Sequence, residues 1–197
     1  PDAMILKKFV EGKELGDIFY AKAGWLRKRT NWADHTWQGD IKLSGGGVFM
    51  DLGIHMLDLS LWLMGNPKPV TVSAAVYHHI SKKDAEDSVV TFIRCENQAT
   101  LTVEVSWSLL MEKDFLYTNL FGTHGGALLN PLRIHKELHG NLVNVTPAGM
   151  ISTDNLYKKS YEFESQHFIE CIRHDRPVLS SGEEALERLQ LVEAVYQ

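Results

Sequence analysis

Three ionisable side chains interrupt the most apolar stretch of the 197-residue chain. They are Asp51, His55 and Asp58, within GGGVFMDLGIHMLDLSLWLMG from Gly45 to Gly65. Positions i, i+4 and i+7 share one face of a helix, so the pattern predicts a helix that carries a line of carboxylate, imidazole and carboxylate. Because an unpaired charge in an apolar setting is costly, these side chains must bond to one another, to a ligand or to a neighbouring element.

A histidine and an aspartate one helical turn apart are suited to proton transfer. Imidazole exchanges a proton near neutral pH, so His55 can act as a base in alcohol oxidation and as an acid in the reverse reaction. Asp51 can bind a substrate hydroxyl, or hold the ring and favour its protonated form. A purely structural hydrogen bond between the two is the alternative. Asp58 is a substrate-binding candidate, with a structural bond to a neighbouring element as the favoured interpretation.

The segment RTNWADHTWQGDIKL, positions 29–43, has no periodicity and is interpreted as a functional loop. Trp32 and Trp37 can present flat apolar faces to a sugar ring, and His35 can supply a donor. An aromatic lid packed on the domain is the alternative. Arg27, at the end of the preceding strand, can contact substrate hydroxyls, with a solvated charge as the alternative.

Composition excludes several classes of function. The net charge of -5 argues against a nucleic-acid partner, and 44% apolar residues are ample for a packed core. Cys95 and Cys171 lie far apart, which is typical of a reducing compartment, and the sequence shows no leader and no membrane span, so we expect a cytoplasmic protein. Zinc would require His35 or His78 to join the Asp-His pair, and we predict no metal.

The remaining pattern predicts helices at both ends and strands between them. Predicted helices cover 2–11, 162–173 and 182–196, the last capped by Ser181 with Glu184 three residues on. Predicted strands cover 17–27, 70–79, 87–95, 99–109 and 114–122, with weaker ones at 127–130, 133–138 and 142–146.

The strand at 99–109 alternates most clearly. Its apolar residues Ala99, Leu101, Val103, Val105 and Trp107 share one face, and Thr100, Thr102, Glu104, Ser106 and Ser108 share the other. This alternation is typical of an antiparallel sheet covered on one side. The second face is only mildly polar, so it can meet a partner sheet, a ligand or water.

Three stretches together resemble the second domain of the Gfo/Idh/MocA family of nicotinamide-dependent oxidoreductases. They are residues 44–65, with Gly-Gly-Gly, Asp-x-Gly-x-His-x-x-Asp and Trp-Leu-x-Gly; EGKELGDIFYAKA at 11–23; and HFIECIRHDRPVLSSGEEALERLQLVEAVY at 167–196. The resemblance implies an α+β fold, a predominantly antiparallel β-sheet with helices packed on one face. It also implies that residues 1–197 form a single substrate-binding and oligomerisation domain.

The resemblance implies a site as well. Asp51 and His55 match the family's catalytic aspartate and histidine, and Gly46 and Gly47 would let the backbone approach a nicotinamide ring, although packing explains these glycines equally well. The expected cofactor is NAD or NADP, and the expected substrate is a polyol, a sugar or an inositol-like compound. The sheet face is expected to form a homodimer or homotetramer, with no nucleic-acid or membrane partner.

The family's dinucleotide-binding half is not recognisable in this sequence. No G-x-G-x-x-G follows a strand, since Gly45–Gly47 and Gly122–Gly126 fail the spacing, and the family's Glu-Lys-Pro lysine has no counterpart. We therefore expect a catalytic domain separated from its Rossmann domain, and inactive alone. Two alternatives stay open: a ligand sensor without turnover, and a glycosidase that oxidises its substrate transiently with NAD.

Overall fold

The computed structural model describes residues 1–29, 37–79, 84–148 and 156–197. Its strands are β1 Ile18–Lys28, β2 Pro69–Tyr77, β3 Ser88–Cys95, β4 Thr100–Leu109, β5 Phe115–Gly122, β6 Gly125–Leu129, β7 Arg133–Leu138 and β8 Asn141–Asn144. Its helices are α1 Asp2–Glu11, α2 Ile41–Ser44, α3 Ile54–Leu63, α4 Leu156–His174 and α5 Gly182–Tyr196. A 3₁₀ turn, Trp37–Gly39, and a π-helical turn, Phe49–Gly53, precede α2 and α3 respectively.

The described strands form one eight-stranded sheet in the order β2-β3-β4-β1-β5-β6-β7-β8. Of these neighbours, β1 and β4 run parallel and the other pairs are antiparallel. The predicted α+β fold with a predominantly antiparallel sheet is therefore confirmed. The first strand lies in the middle of the sheet, where Ala23 is opposite Val103 of β4 and Thr118 of β5.

The two faces of the sheet differ as the alternation in β4 predicts. Leu101, Val103 and Val105 are buried in the core, which α3 and α5 complete from the same side. Thr100, Thr102 and Glu104 of the other face, called the open face below, are only half-buried. The polar row differs from the prediction at its end, because Ser106 and Ser108 are buried and the Ser106 hydroxyl donates to the Asp87 carbonyl.

Local sequence signals fixed several element boundaries. The bounds of α1, β7 and α5 are those predicted, and Ser181 and Glu184 form a reciprocal capping box at the start of α5. The helix α4 begins six residues before the predicted start, at Leu156. Its apolar side chains Phe168 and Ile172 are exposed.

The two cysteines, Cys95 and Cys171, are buried free thiols. Within the described ranges, no helix combines the length and apolar character needed to cross a membrane.

Candidate active site

The run that the sequence assigns to one helix is divided in two. Phe49–Gly53 is a π-helical turn, in which the Ile54 N–H donates to the carbonyl of Phe49 five residues earlier, and α3 begins only at Ile54. A π-turn contains one residue more than an α-turn, so the spacing from Asp51 to His55 is not that of a regular α-helix. The prediction of one regular α-helix through both residues is therefore wrong at Asp51, which lies in the π-helical turn. Residues in π-turns are often found at functional sites.

Asp51 is anchored to the sheet. Its Oδ2 accepts a hydrogen bond of 2.9 Å from Nε1 of Trp107, whose buried indole lies on β4. Among the described contacts, the Asp51 carboxyl is bonded to Trp107 and not to His55. The sequence-based requirement for a partner is thus met by a neighbouring element. A half-buried carboxyl held from one side is well placed to accept a ligand hydroxyl.

His55 is exposed on α3, beside the ring of Trp25 on β1. The two ring centroids are 6.3 Å apart and the ring planes are inclined by 49°. Because β1 and β4 run parallel, their carboxyl ends meet at one end of the sheet, which brings Trp25 and Trp107 beneath the same helix. Arg27 follows at the end of β1 and is half-buried. The sequence analysis missed Trp25, although its position two residues before Arg27 was the available signal.

Asp58 is bonded to a neighbouring element, as its favoured interpretation expects. Its Oδ1 accepts from Nε of Arg188 at 3.3 Å, and Nη2 of the same guanidinium donates to Asn66 Oδ1 at 2.6 Å. Arg188 is 5% exposed and lies on α5. The pair therefore joins α3 to α5. The Asp58 side chain is still 49% exposed, so its part in substrate binding stays a prediction.

Replacing Arg188 by alanine is expected to lower the free energy of unfolding by about 1 to 3 kcal/mol, because both bonds are lost while Asp58 can still be hydrated. Urea denaturation of the purified chain measures this change. Arg173→Ala on α4 is the control, since this arginine is 68% exposed and its removal should change stability by less than about 0.5 kcal/mol. Equal stability of the two variants would contradict the structural role of Asp58.

Gly46 and Gly47 are buried against two side chains that the sequence analysis did not identify. A Cβ at Gly46 would lie 2.8 Å from the Tyr196 hydroxyl, and a Cβ at Gly47 would overlap the backbone and carboxyl of Glu86. Glu86 is itself 1% exposed. These contacts supply the packing reason for both glycines. The two consecutive acids before a β-strand, Glu86 and Asp87, were the sequence signal for this cluster.

Of the other residues predicted to bind substrate, some lie in the described ranges and some do not. Trp37 is 59% exposed in the 3₁₀ turn, whose Gly39 carbonyl accepts from the Ala85 N–H. Trp32 and His35 lie outside the described residues, so the proposed aromatic loop stays a prediction. The described residues contain no group of three His, Cys, Asp or Glu side chains that could hold a metal ion.

Comparison with known proteins agrees with this architecture. A family model matches residues 7–197 of this chain. It describes the C-terminal alpha/beta domain of the Gfo/Idh/MocA oxidoreductase family. The D-glucoside 3-dehydrogenase of Escherichia coli K12 is 28% identical over 100% of this chain and 58% of its own length. The D-apiose dehydrogenase of Paraburkholderia graminis is 26% identical over 94% of this chain and 52% of its own.

Solved structures share the fold. Levoglucosan dehydrogenase in complex with NADH superposes with a TM-score of 0.84 at 19% identity, over 99% of this chain and 60% of that one. An aldose-aldose oxidoreductase from Caulobacter crescentus, complexed with glycerol, gives 0.79 at 21% identity over 98% and 57% of the two chains. The chain thus spans between half and three fifths of the length of these relatives.

Proposed function

Because the chain belongs to the Gfo/Idh/MocA oxidoreductase family and matches its C-terminal α/β domain, we propose that it carries the proton-transfer half of a sugar or polyol dehydrogenase. The observation that carries this proposal is the placement of His55, an exposed imidazole that lies beside the half-buried indole of Trp25 and follows the anchored carboxyl of Asp51 by four positions. The names of the relatives, which include dehydrogenases of glucosides, apiose and levoglucosan, support a carbohydrate substrate.

Each side chain has a separate task in this reaction. A ring nitrogen of His55 takes the proton of the substrate hydroxyl as the carbonyl forms, and returns a proton in the reverse direction. Asp51 accepts a hydrogen bond from a substrate hydroxyl, while Trp107 holds the carboxyl in place. The face of Trp25 packs against the apolar side of the sugar ring, and Arg27 donates to its hydroxyls. A nicotinamide cofactor, when bound, supplies the acceptor for the hydride that leaves the carbon.

The start of the π-turn does not fit the phosphates of NAD or NADP. Phosphates bind to free N–H groups at the start of a helix. Here the Phe49 N–H is already bonded to the carboxyl of Glu86, at 3.0 Å. This acidic group at the start of the π-turn would also repel a phosphate. His55 and Trp25 are the residues that would face the nicotinamide ring and the substrate.

We propose that the phosphates are bound by a second domain of a longer protein. This chain leaves two fifths or more of each relative's length unmatched. The family domain that it matches is a C-terminal one. Exposure of His55 supports this arrangement, because a hydride-transfer site must exclude water. The apolar side chains Phe168 and Ile172 of α4 offer a surface on which such a domain could pack.

The test uses the longer protein that is proposed above. The intact protein is incubated with NAD or NADP and a panel of aldoses, glycosides and polyols, and the absorbance of reduced nicotinamide is followed. Steady formation of the reduced cofactor with one carbohydrate class supports the proposal. Release of a free sugar without net reduction would instead identify a glycosidase. Carbohydrate binding without either reaction would identify a sensor.

We further propose that the open face of the sheet is covered by a second copy of the chain. Phe92 and Val90 of β3, Phe115 of β5 and Leu128 of β6 project from this face by their register and are 39 to 50% exposed. At its centre, Lys22 lies 3.8 Å from Glu104, and the Tyr117 hydroxyl donates to the same carboxyl. Exposed apolar side chains around a polar centre whose charges are paired can be covered by a second copy of the same face.

Phe92→Glu is expected to convert the oligomer to a monomer, because the new charge would be buried without a partner. Light scattering across a dilution series measures the mass. Leu186→Glu on α5 is the control, since this leucine is 58% exposed on the helix side and the variant should keep the wild-type mass. A wild-type chain that stays monomeric at high concentration would contradict the proposed interface.

A further inference from the structure

We propose that Glu86 is a positioning residue, whose buried carboxyl sets the place of Asp51 and, through the start of α3, of His55. The inference rests on the function proposed above and assigns a role to a residue that lies outside the Asp-His pair. Glu86 reaches this segment from the loop before β3 and touches neither Asp51 nor His55 by any described contact.

The Glu86 residue binds the backbone directly before Asp51. Its carbonyl accepts from the Val48 N–H at 3.0 Å, and its Oε1 accepts from the Phe49 N–H, also at 3.0 Å. The first N–H groups of a helical segment have no partner within the segment, so an outside acceptor must satisfy them. Glu86 performs for the π-turn what a capping side chain performs for an ordinary helix.

Tyr196 extends the contact by one more residue. Its hydroxyl donates to Glu86 Oε1 at 2.7 Å and accepts from the Met50 N–H at 3.2 Å. Burial, followed by the adjacent Glu86 carboxyl, raises the pKa of the Tyr196 phenol well above its ordinary value, so the hydroxyl keeps its proton and remains a donor. Three successive N–H groups are therefore held from outside the turn.

Asp87, the residue after Glu86, is linked to the Asp51 side chain through Trp107. The Asp87 carbonyl accepts from the Trp107 N–H at 3.0 Å, and the Trp107 indole donates to the Asp51 carboxyl. Two consecutive residues thus position both the backbone that carries Asp51 and the donor that orients its side chain. These outside contacts hold the N–H groups of residues 48–50 at the start of the π-turn and so help to fix its geometry.

The first test needs no enzyme activity and uses this chain. The Trp107 indole N–H gives one resonance in a proton-nitrogen correlation spectrum, which is assigned by its loss in Trp107→Phe. In Glu86→Ala this resonance should move upfield, because the indole bond to Asp51 is weakened as the turn shifts. Glu86→Gln should restore the wild-type position, since the amide oxygen can accept the same two bonds. Leu120→Ala, a core change in β5, should lower stability without moving the resonance.

Failure of Glu86→Ala to fold does not stop the test, because Tyr196→Phe removes one of the outside contacts and should move the same resonance by a smaller amount. An unmoved Trp107 resonance in whichever of these variants is folded overturns the proposal.

The second test uses the intact protein and its carbohydrate. Glu86→Ala should lower kcat about ten- to hundredfold with KM changed far less, as expected when a reacting group is displaced rather than removed. Glu86→Gln should recover most of the wild-type kcat. A folded Glu86→Ala with wild-type kcat overturns the proposal. Absence of turnover in the wild-type protein would refute the proposed function alone, because the Trp107 resonance decides the positioning role independently.

Discussion

Replacement of His55 by alanine in the intact protein is expected to lower kcat by a factor of about 10² to 10⁴, the usual cost of losing a general base. Cofactor affinity should be nearly unchanged, because the phosphates are held elsewhere in our proposal. The free energy of unfolding should also change little, since His55 is exposed and its described contact is the tilted ring of Trp25.

The measurement combines steady-state kinetics, fluorescence titration with the reduced cofactor, and thermal unfolding of the same samples. His124→Ala is the control, as this histidine is also exposed but lies beyond the end of β5. A structural His55 would give the opposite pattern: a lower melting temperature and wild-type turnover per folded molecule. That result would remove His55 from the mechanism.

Replacement of Gly47 by alanine is expected to cost at least about 3 kcal/mol of unfolding free energy, the upper range for overpacking a core. The added methyl group would overlap the Glu86 carbonyl, which is part of the backbone and cannot rotate away. Urea denaturation of the chain gives the value. Gly182→Ala at the start of α5 is the matched control, because a Cβ there has nothing within 4 Å, and it should be neutral or slightly stabilising.

The Gly47 result also decides between the two explanations given for this glycine. A stable Gly47→Ala chain, whose intact form has lost affinity for the cofactor, would show that the glycine is needed for the nicotinamide ring. Loss of stability in this chain alone, without any cofactor present, would show that packing against Glu86 is the reason.

Sequence was sufficient wherever neighbouring residues determine the structure. The capping residues of α5 and the alternation of β4 are local patterns, and the structure confirms the cap and the alternation as far as Val105. The partners of Asp51 and Asp58 were not predictable, because Trp107 and Arg188 follow them by 56 and 130 positions. A regular helical period also does not predict a π-turn, and the Glu86 acceptor at its start is 37 positions away from Phe49.

The sequence also did not predict the place of β1 between β4 and β5. Parallel pairing with β4 requires the chain to return past two other strands, and no periodicity within β1 contains that information. Since Trp25 lies on β1 and Trp107 on β4, the site itself depends on this pairing. Residue type and spacing were therefore enough to propose Asp51 and His55. The structure was required to propose Trp25, Trp107 and Glu86.

The central place of β1 also affects how the protein is made. A ribosome completes β1 early, yet both its neighbours, β4 and β5, are synthesised much later. Until then the strand has two unpaired edges and an apolar face, which are the features that chaperones recognise and that promote aggregation. The hairpins β2-β3 and β3-β4 can form first because their contacts are local. Among β1 to β4, β1 is therefore the first strand to be synthesised and the last to be paired.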